Sequence, residues 1–179
     1  GDHRSRVVPA GDPEARMIPS DHFTRFSNEV FKLLERQGEA DLERYFLEIS
    51  HNQEKHILEL IRKEGFEGMY KYWSVIRDEE NCELELGYDD KKFELRMHLC
   101  PSLTKAKDND AERWDRYCDH CAGWVGPIMD KTGYHLVYDV IDRDQPQCVM
   151  RIFKDAEDAR EAEKDVRLLM GWPGHKATT

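Results

Sequence analysis

A chain of 179 residues and 21.1 kDa, 39% hydrophobic and 36% charged, has material for one domain with a real core and is short for two. A net charge of −10 and a pI near 5.3 argue against non-specific nucleic-acid binding, which needs clustered Lys and Arg, and against docking on anionic membranes. The uninterrupted apolar runs are a few residues long, far below the roughly 20 that a membrane-spanning helix needs. The partner these properties leave is a small-molecule ligand or substrate, with no nucleic acid and no membrane.

Residues 1–19 hold three of the seven prolines and no periodicity, so they read as an arm, disordered or packed on a partner subunit of a homo-oligomer. Residues 20–179 read as one domain. Ser20 or Asp21 is placed to cap a first helix with the stripe Phe23, Phe26, Val30, Phe31 and Leu34, ending near Gly38. A second helix is predicted over 40–64, stopped by Gly65, with Leu42, Tyr45, Phe46, Ile49, Gln53, His56, Ile57, Leu60 and Ile61 along one face. Gln53 and His56 then form a polar pair on a face expected to be buried, where they could meet a ligand. A shorter third helix, 68–78, carries Met69, Tyr72, Trp73 and Ile76.

The period then changes to two. Cys82, Leu84 and Leu86 alternate with acids, and after Gly87-Tyr88-Asp89-Asp90 the residues Phe93, Leu95, Met97 and Leu99 alternate with Glu94, Arg96, His98 and Cys100. Pro101 ends this hairpin and 105–110 reads as a loop. A helix over 111–130 follows, with Trp114, Tyr117, Cys118, Cys121, Val125 and Ile128 as its stripe and Pro127 expected to kink or end it. Strands at 134–142 and 148–153 make a second hairpin, and a last helix spans 156–170. The pattern predicts an α+β domain: N-terminal helices, then two antiparallel β-hairpins separated by a helix, with a C-terminal helix.

Four of the five cysteines lie between Cys100 and Cys148. An odd number cannot all pair within one chain, and the spacing is not that of a disulfide framework, so the cytoplasm is the expected compartment. A thiolate is a strong nucleophile and a soft metal ligand, which makes this stretch the place to look for chemistry. On a helix, Cys118 and Cys121 share a face roughly 5–6 Å apart at Cβ. Cys100, Cys148 or His98 could join them round a zinc ion; equally, thiols on an apolar stripe serve as small hydrophobes. His120 lies off the stripe and reads as a surface residue. Trp114, Tyr117, Trp124, Tyr134 and Tyr138 could form an aromatic pocket wall. His51, Glu54 and His56 do not have the order of a zincin helix, and no Gly-rich phosphate loop or G-x-S-x-G motif occurs.

Cys100-Pro101, Tyr117-Cys118-x-x-Cys121, Gly133, and a hairpin with Cys148 two residues after Pro146 together resemble the L-2-amino-thiazoline-4-carboxylic acid hydrolase-like family. More distantly, the stretch is similar to the vinyl-reductase-type small-molecule-binding domain, in which a helix and a Cys-bearing hairpin cover a ligand cavity. The first resemblance implies opening of a cyclic amidine by water or by a cysteine nucleophile. Cys100, Cys118 and Cys148 occupy the matching positions as the catalytic candidates, and Cys121 is additional. The usual Gly-Asp before the final cysteine is here Asp144-Gln145-Pro146-Gln147.

Three readings follow. One is a hydrolase acting on a C–N bond through a cysteine cluster with a neighbouring histidine as base. Another is a non-catalytic ligand-binding or sensory domain, with His98, Cys121, Trp114, Tyr117, His56 and Gln53 about its cavity. The third is a protein whose cysteines hold a zinc ion.

Overall fold

The computed structural model describes residues 19–80, 82–108 and 112–175. The arm expected over residues 1–19 lies outside them, apart from Pro19, which begins the first helix. Three helices open the fold: α1 (Pro19–Gln37), α2 (Glu39–Glu64) and α3 (Phe66–Glu79). Glycine divides them, because the chain must reverse its backbone twist at each junction. Gly65 has φ +58°, and its N–H closes the last turn of α2 on the Ile61 carbonyl at 2.8 Å.

Among the described residues four strands form, β1 (Glu83–Tyr88), β2 (Lys92–Leu99), β3 (His135–Asp139) and β4 (Cys148–Phe153). The two hairpins join edge to edge through β2 and β4, giving one antiparallel sheet in the order β1-β2-β4-β3. The register pairs Phe93 with Ile152, Leu95 with Met150 and Met97 with Cys148, and β3 sets Tyr138 opposite Met150. These side chains share one face of the pleat. Phe93, Leu95, Tyr138, Met150 and Ile152 are buried there with Ile57, Met69, Trp73, Val125 and Ile128 from the helices. Burying each large apolar side chain contributes about 1.5–3 kcal/mol. On the other face Val137 and Phe153 pack against Ala159 of a final helix, α6 (Ala156–Glu163), while Glu94 is gripped by Lys92, Arg96 and Arg151. The α+β order expected from the sequence is the order observed.

Between the hairpins the chain departs from the pattern. A short helix, α4 (Pro101–Lys107), follows β2 and takes in the first residues, 105–107, of the expected loop, with Pro101 at its first turn and the Cys100 thiol capping the Leu103 N–H at 3.4 Å. The helix expected over 111–130 begins only at Asp119, as α5 (Asp119–Thr132). The buried carboxamide of Asn28 causes the delay: it accepts from the Trp114 N–H at 2.8 Å and donates to the Glu112 carbonyl at 2.9 Å, with Glu112 at φ +64°. Pro127 does not end α5. Ser50 of α2 donates to the Trp124 carbonyl at 2.8 Å, and Gly123 lies close against Phe46, so the helix is clamped through that point.

The last helix is shorter than its apolar pattern. Buried Asp139 accepts from the N–H groups of Ile141, Arg167 and Leu168 at 2.8, 3.3 and 3.0 Å, drawing the chain after α6 into a bridge with β3. Among the described residues no helix is long and apolar enough to cross a membrane.

Candidate functional site

The sheet does not close fully on the helices. A cavity of about 430 Å³ remains at the β1–β2–β4 end, within the size range of small-molecule sites. Leu84, Leu95, Met97, Cys148, Met150 and Tyr138 form its floor on the sheet. Trp73, Ile76 and Glu80 come from the C-terminal end of α3, and Phe23, Thr24 and Ser27 from the first turns of α1. Cys100, Pro101 and Ser102 reach it from the start of α4, and His120, Cys121, Trp124 and Val125 from α5. A narrow recess of about 30 Å³ beside it touches Cys118 and Gln147.

The polar groups in this wall are turned mainly to one another. Ser102 Oγ and the Tyr117 hydroxyl are 2.7 Å apart. His120 donates its Nδ1–H to the Tyr117 carbonyl, which leaves Nε2 as an acceptor for the Cys121 thiol at 3.5 Å. Burial pushes the His120 pKa down, so the ring is neutral, and it stacks on Phe31 with centroids 5.3 Å apart. Burial also pushes the Tyr138 phenol well above its ordinary value, with the neighbouring thiols adding to the effect. Glu80 is the single Asp, Glu, Lys or Arg among the described residues that line the cavity.

The chemistry expected of the cysteines is not there. All five are free thiols set among apolar side chains; Cys100, Cys118, Cys121 and Cys148 border the narrow recess, but they do not form the metal-holding cluster expected of them. Among the described residues no group of three or more His, Cys, Asp or Glu is arranged to hold a metal ion, which removes the zinc reading. The hydrolase reading fails with the cluster, and the state of the thiols agrees. Burial pushes Cys100 and Cys121 up to about 11 and Cys82 and Cys118 up to about 12, and raises Cys148 as well. Arg143 and Arg113 pull Cys118 the other way, but less strongly than burial. A nucleophilic thiol needs the opposite shift.

The other expected site residues divide between the cavity and places remote from it. Tyr117, Cys100, Cys121 and Cys148 line the main space, and Cys118 the recess. Trp114 is buried in a second core with Phe31, Leu42 and Phe46, its indole N–H donated to Glu35 at 2.8 Å. His98 projects from the outer sheet face to Glu85 at 3.2 Å. Gln53 and His56 are exposed on α2, so the polar pair does not face a buried site. Tyr134 packs on Phe66, away from the cavity, whereas Trp124 and Tyr138 do form part of an aromatic wall. His120, expected at the surface, lies in the cavity wall between the rings of Phe31 and Tyr117, with centroids 5.3 and 4.8 Å away.

Trp73, Ile76 and Glu80 of α3, and Phe23, Thr24 and Ser27 of α1, were not legible as site residues. Their helical spacing shows a shared face but not what that face meets. No known protein-family model, curated protein or solved structure matches this chain.

Proposed function

We propose that this domain binds a small, largely apolar molecule in the cavity between the sheet and helices α1, α3 and α5. The observation that carries the reading is the space of about 430 Å³ walled by Trp73, Trp124, Met97, Met150 and Tyr138, with few polar groups directed into it. Apolar walls without partner atoms forfeit dispersion contacts that an occupant restores. The neutral imidazole and the thiols suit a binding surface, since none of them is poised to attack or to transfer a proton. Five free thiols support a reducing compartment such as the cytoplasm.

The test is titration of the full chain with the neutral fluorophore N-phenylnaphthylamine, beside the variant Ile76→Trp, which fills the wall from α3. Saturable fluorescence gain with a rise in Tm, both reduced at least about tenfold in affinity by the variant, supports the reading. A folded wild-type chain that gives no gain, or a variant that binds equally well, overturns it.

A further inference from the structure

Helix α1 carries an apolar face besides the one it buries. Asn28 and Phe31 are buried, whereas Phe23 and Phe26 are each 69% exposed and Leu33 is 47% exposed. With half-buried Val30 among them, these residues recur at spacings of three and four, the seam pattern of a helix that packs on another helix. Phe23 also lines the cavity, so the mouth of that space opens where the seam begins. We propose that a second copy of this chain docks antiparallel along the seam and completes the cavity wall beside Phe23. The completed wall, though not the docking, rests on the binding reading above.

The seam is self-complementary. A two-fold axis crossing it between Phe26 and Val30 sets each Phe26 against Val30 of the other copy and each Phe23 against Leu33. Charge singles out the same helix. Two bodies of net charge −10 repel each other, yet α1 balances Asp21, Glu29 and Glu35 with Arg25, Lys32 and Arg36. By contrast, α2 holds seven acids against four bases, and α6 four against one. Glu29 would approach its own copy near the axis, and Lys32 offsets it at 2.8 Å. An anionic lipid surface gains little from a helix without net positive charge.

The area is of the right order. A phenylalanine buries about 200 Å², so the two exposed rings of each copy offer about 280 Å². Two copies remove about 560 Å² from water through these rings alone. Leu33, Val30 and the residues flanking them carry the contact toward the roughly 1,000 Å² that a specific interface needs. Because Phe23 belongs both to the seam and to the cavity, docking covers the mouth at the same time.

The experiment is sedimentation velocity of the full chain at about 20 µM, with N-phenylnaphthylamine titrated into the same samples. Wild type is expected to sediment as a dimer. Phe26→Glu and Leu33→Glu, neither in the cavity lining, should sediment as monomers with unchanged circular dichroism. Leu169→Glu, an equally exposed leucine in the tail after α6, should leave the dimer intact. Both monomeric variants should bind the probe at least about fivefold more weakly than wild type. A wild-type chain still monomeric at about 100 µM overturns the docking. In that case a Tm lowered by Phe26→Glu assigns the seam to the chain's own residues 1–18, and flotation with neutral phosphatidylcholine vesicles assigns it to lipid. A dimer that survives both seam variants uses another face, which also overturns the proposal. Full probe affinity in the monomers overturns the shared wall alone, and a dimer that binds no probe overturns the binding reading together with that wall.

Discussion

Asn28 in α1 holds the backbone of Trp114 in place across a sequence separation of 86 residues, its Oδ1 accepting the Trp114 N–H at 2.8 Å. The other end of the same amide donates to the Glu112 carbonyl at 2.9 Å, and the side chain is fully buried. That bracket sets where α5 begins and hence which residues reach the cavity. Asn28→Ala leaves two backbone groups unpaired and is expected to cost about 2–4 kcal/mol, read by urea unfolding. Asn28→Asp keeps the acceptor but loses the donor, so it should fall between Ala and wild type. Equal stability of all three chains would show that the bracket does not hold the loop.

Asp139 does the same for the far end of the chain. Its carboxylate accepts three backbone N–H groups, from Ile141, Arg167 and Leu168. Asp139→Asn replaces one accepting oxygen with a donor facing donors, and a loss of about 2–4 kcal/mol is expected. Circular dichroism should show no loss of helix, because the residues released lie outside α6. A variant as stable as wild type would contradict the role.

Close packing at α5 gives a sharper test. A Cβ placed on Gly126 would lie 2.3 Å from the Trp172 indole, whose N–H is donated to Asp130 at 2.8 Å. Gly126→Ala should displace the Trp172 segment, cost about 1–3 kcal/mol and red-shift the tryptophan emission. An unchanged emission spectrum would mean that the tail does not pack there.

The thiols predict an alkaline weakness. Burial holds Cys100 and Cys121 near 11 in the folded chain, whereas unfolded thiols ionise near pH 8.5. Because the folded values are raised, their stabilising effect is complete below about pH 8.5 and is lost as pH rises toward about 11. Stability should therefore decline over that window, and the double variant Cys121→Ala, Cys148→Ala should flatten the decline. At neutral pH every cysteine should react with iodoacetamide more slowly than free cysteine. A fast-reacting thiol among Cys100, Cys118 and Cys121 would reverse the picture of inert side chains.

Much of the architecture was legible because burial in this chain follows simple periods. The alternation of Phe93, Leu95 and Met97 placed β2 and its inward face, and Gly38 and Gly65 marked the helix ends where they occur. Two helix boundaries were misread for one reason. Trp114 and Tyr117 have helical spacing relative to Cys121, as Val166 has to Ala162, yet Asn28 takes the backbone groups of Glu112 and Trp114, and Asp139 those of Arg167 and Leu168, from distant parts of the chain. Single side chains of that kind leave no local trace. Cysteine spacing was misleading in another way, since it reports proximity and not whether sulfur atoms meet at a point or ionise. The cavity itself depends on α1 and α3 meeting the sheet, and only tertiary packing shows that meeting.

The pairing of Met97 with Cys148 at the seam between the hairpins bears on biosynthesis. During translation the first ribbon emerges well before its companion, with Phe93 and Leu95 on one side of a strand that has no neighbour on its far edge. That interval is when the nascent polypeptide is most open to self-association and most in need of chaperone shelter, and it ends only when the second ribbon leaves the ribosome and zips alongside.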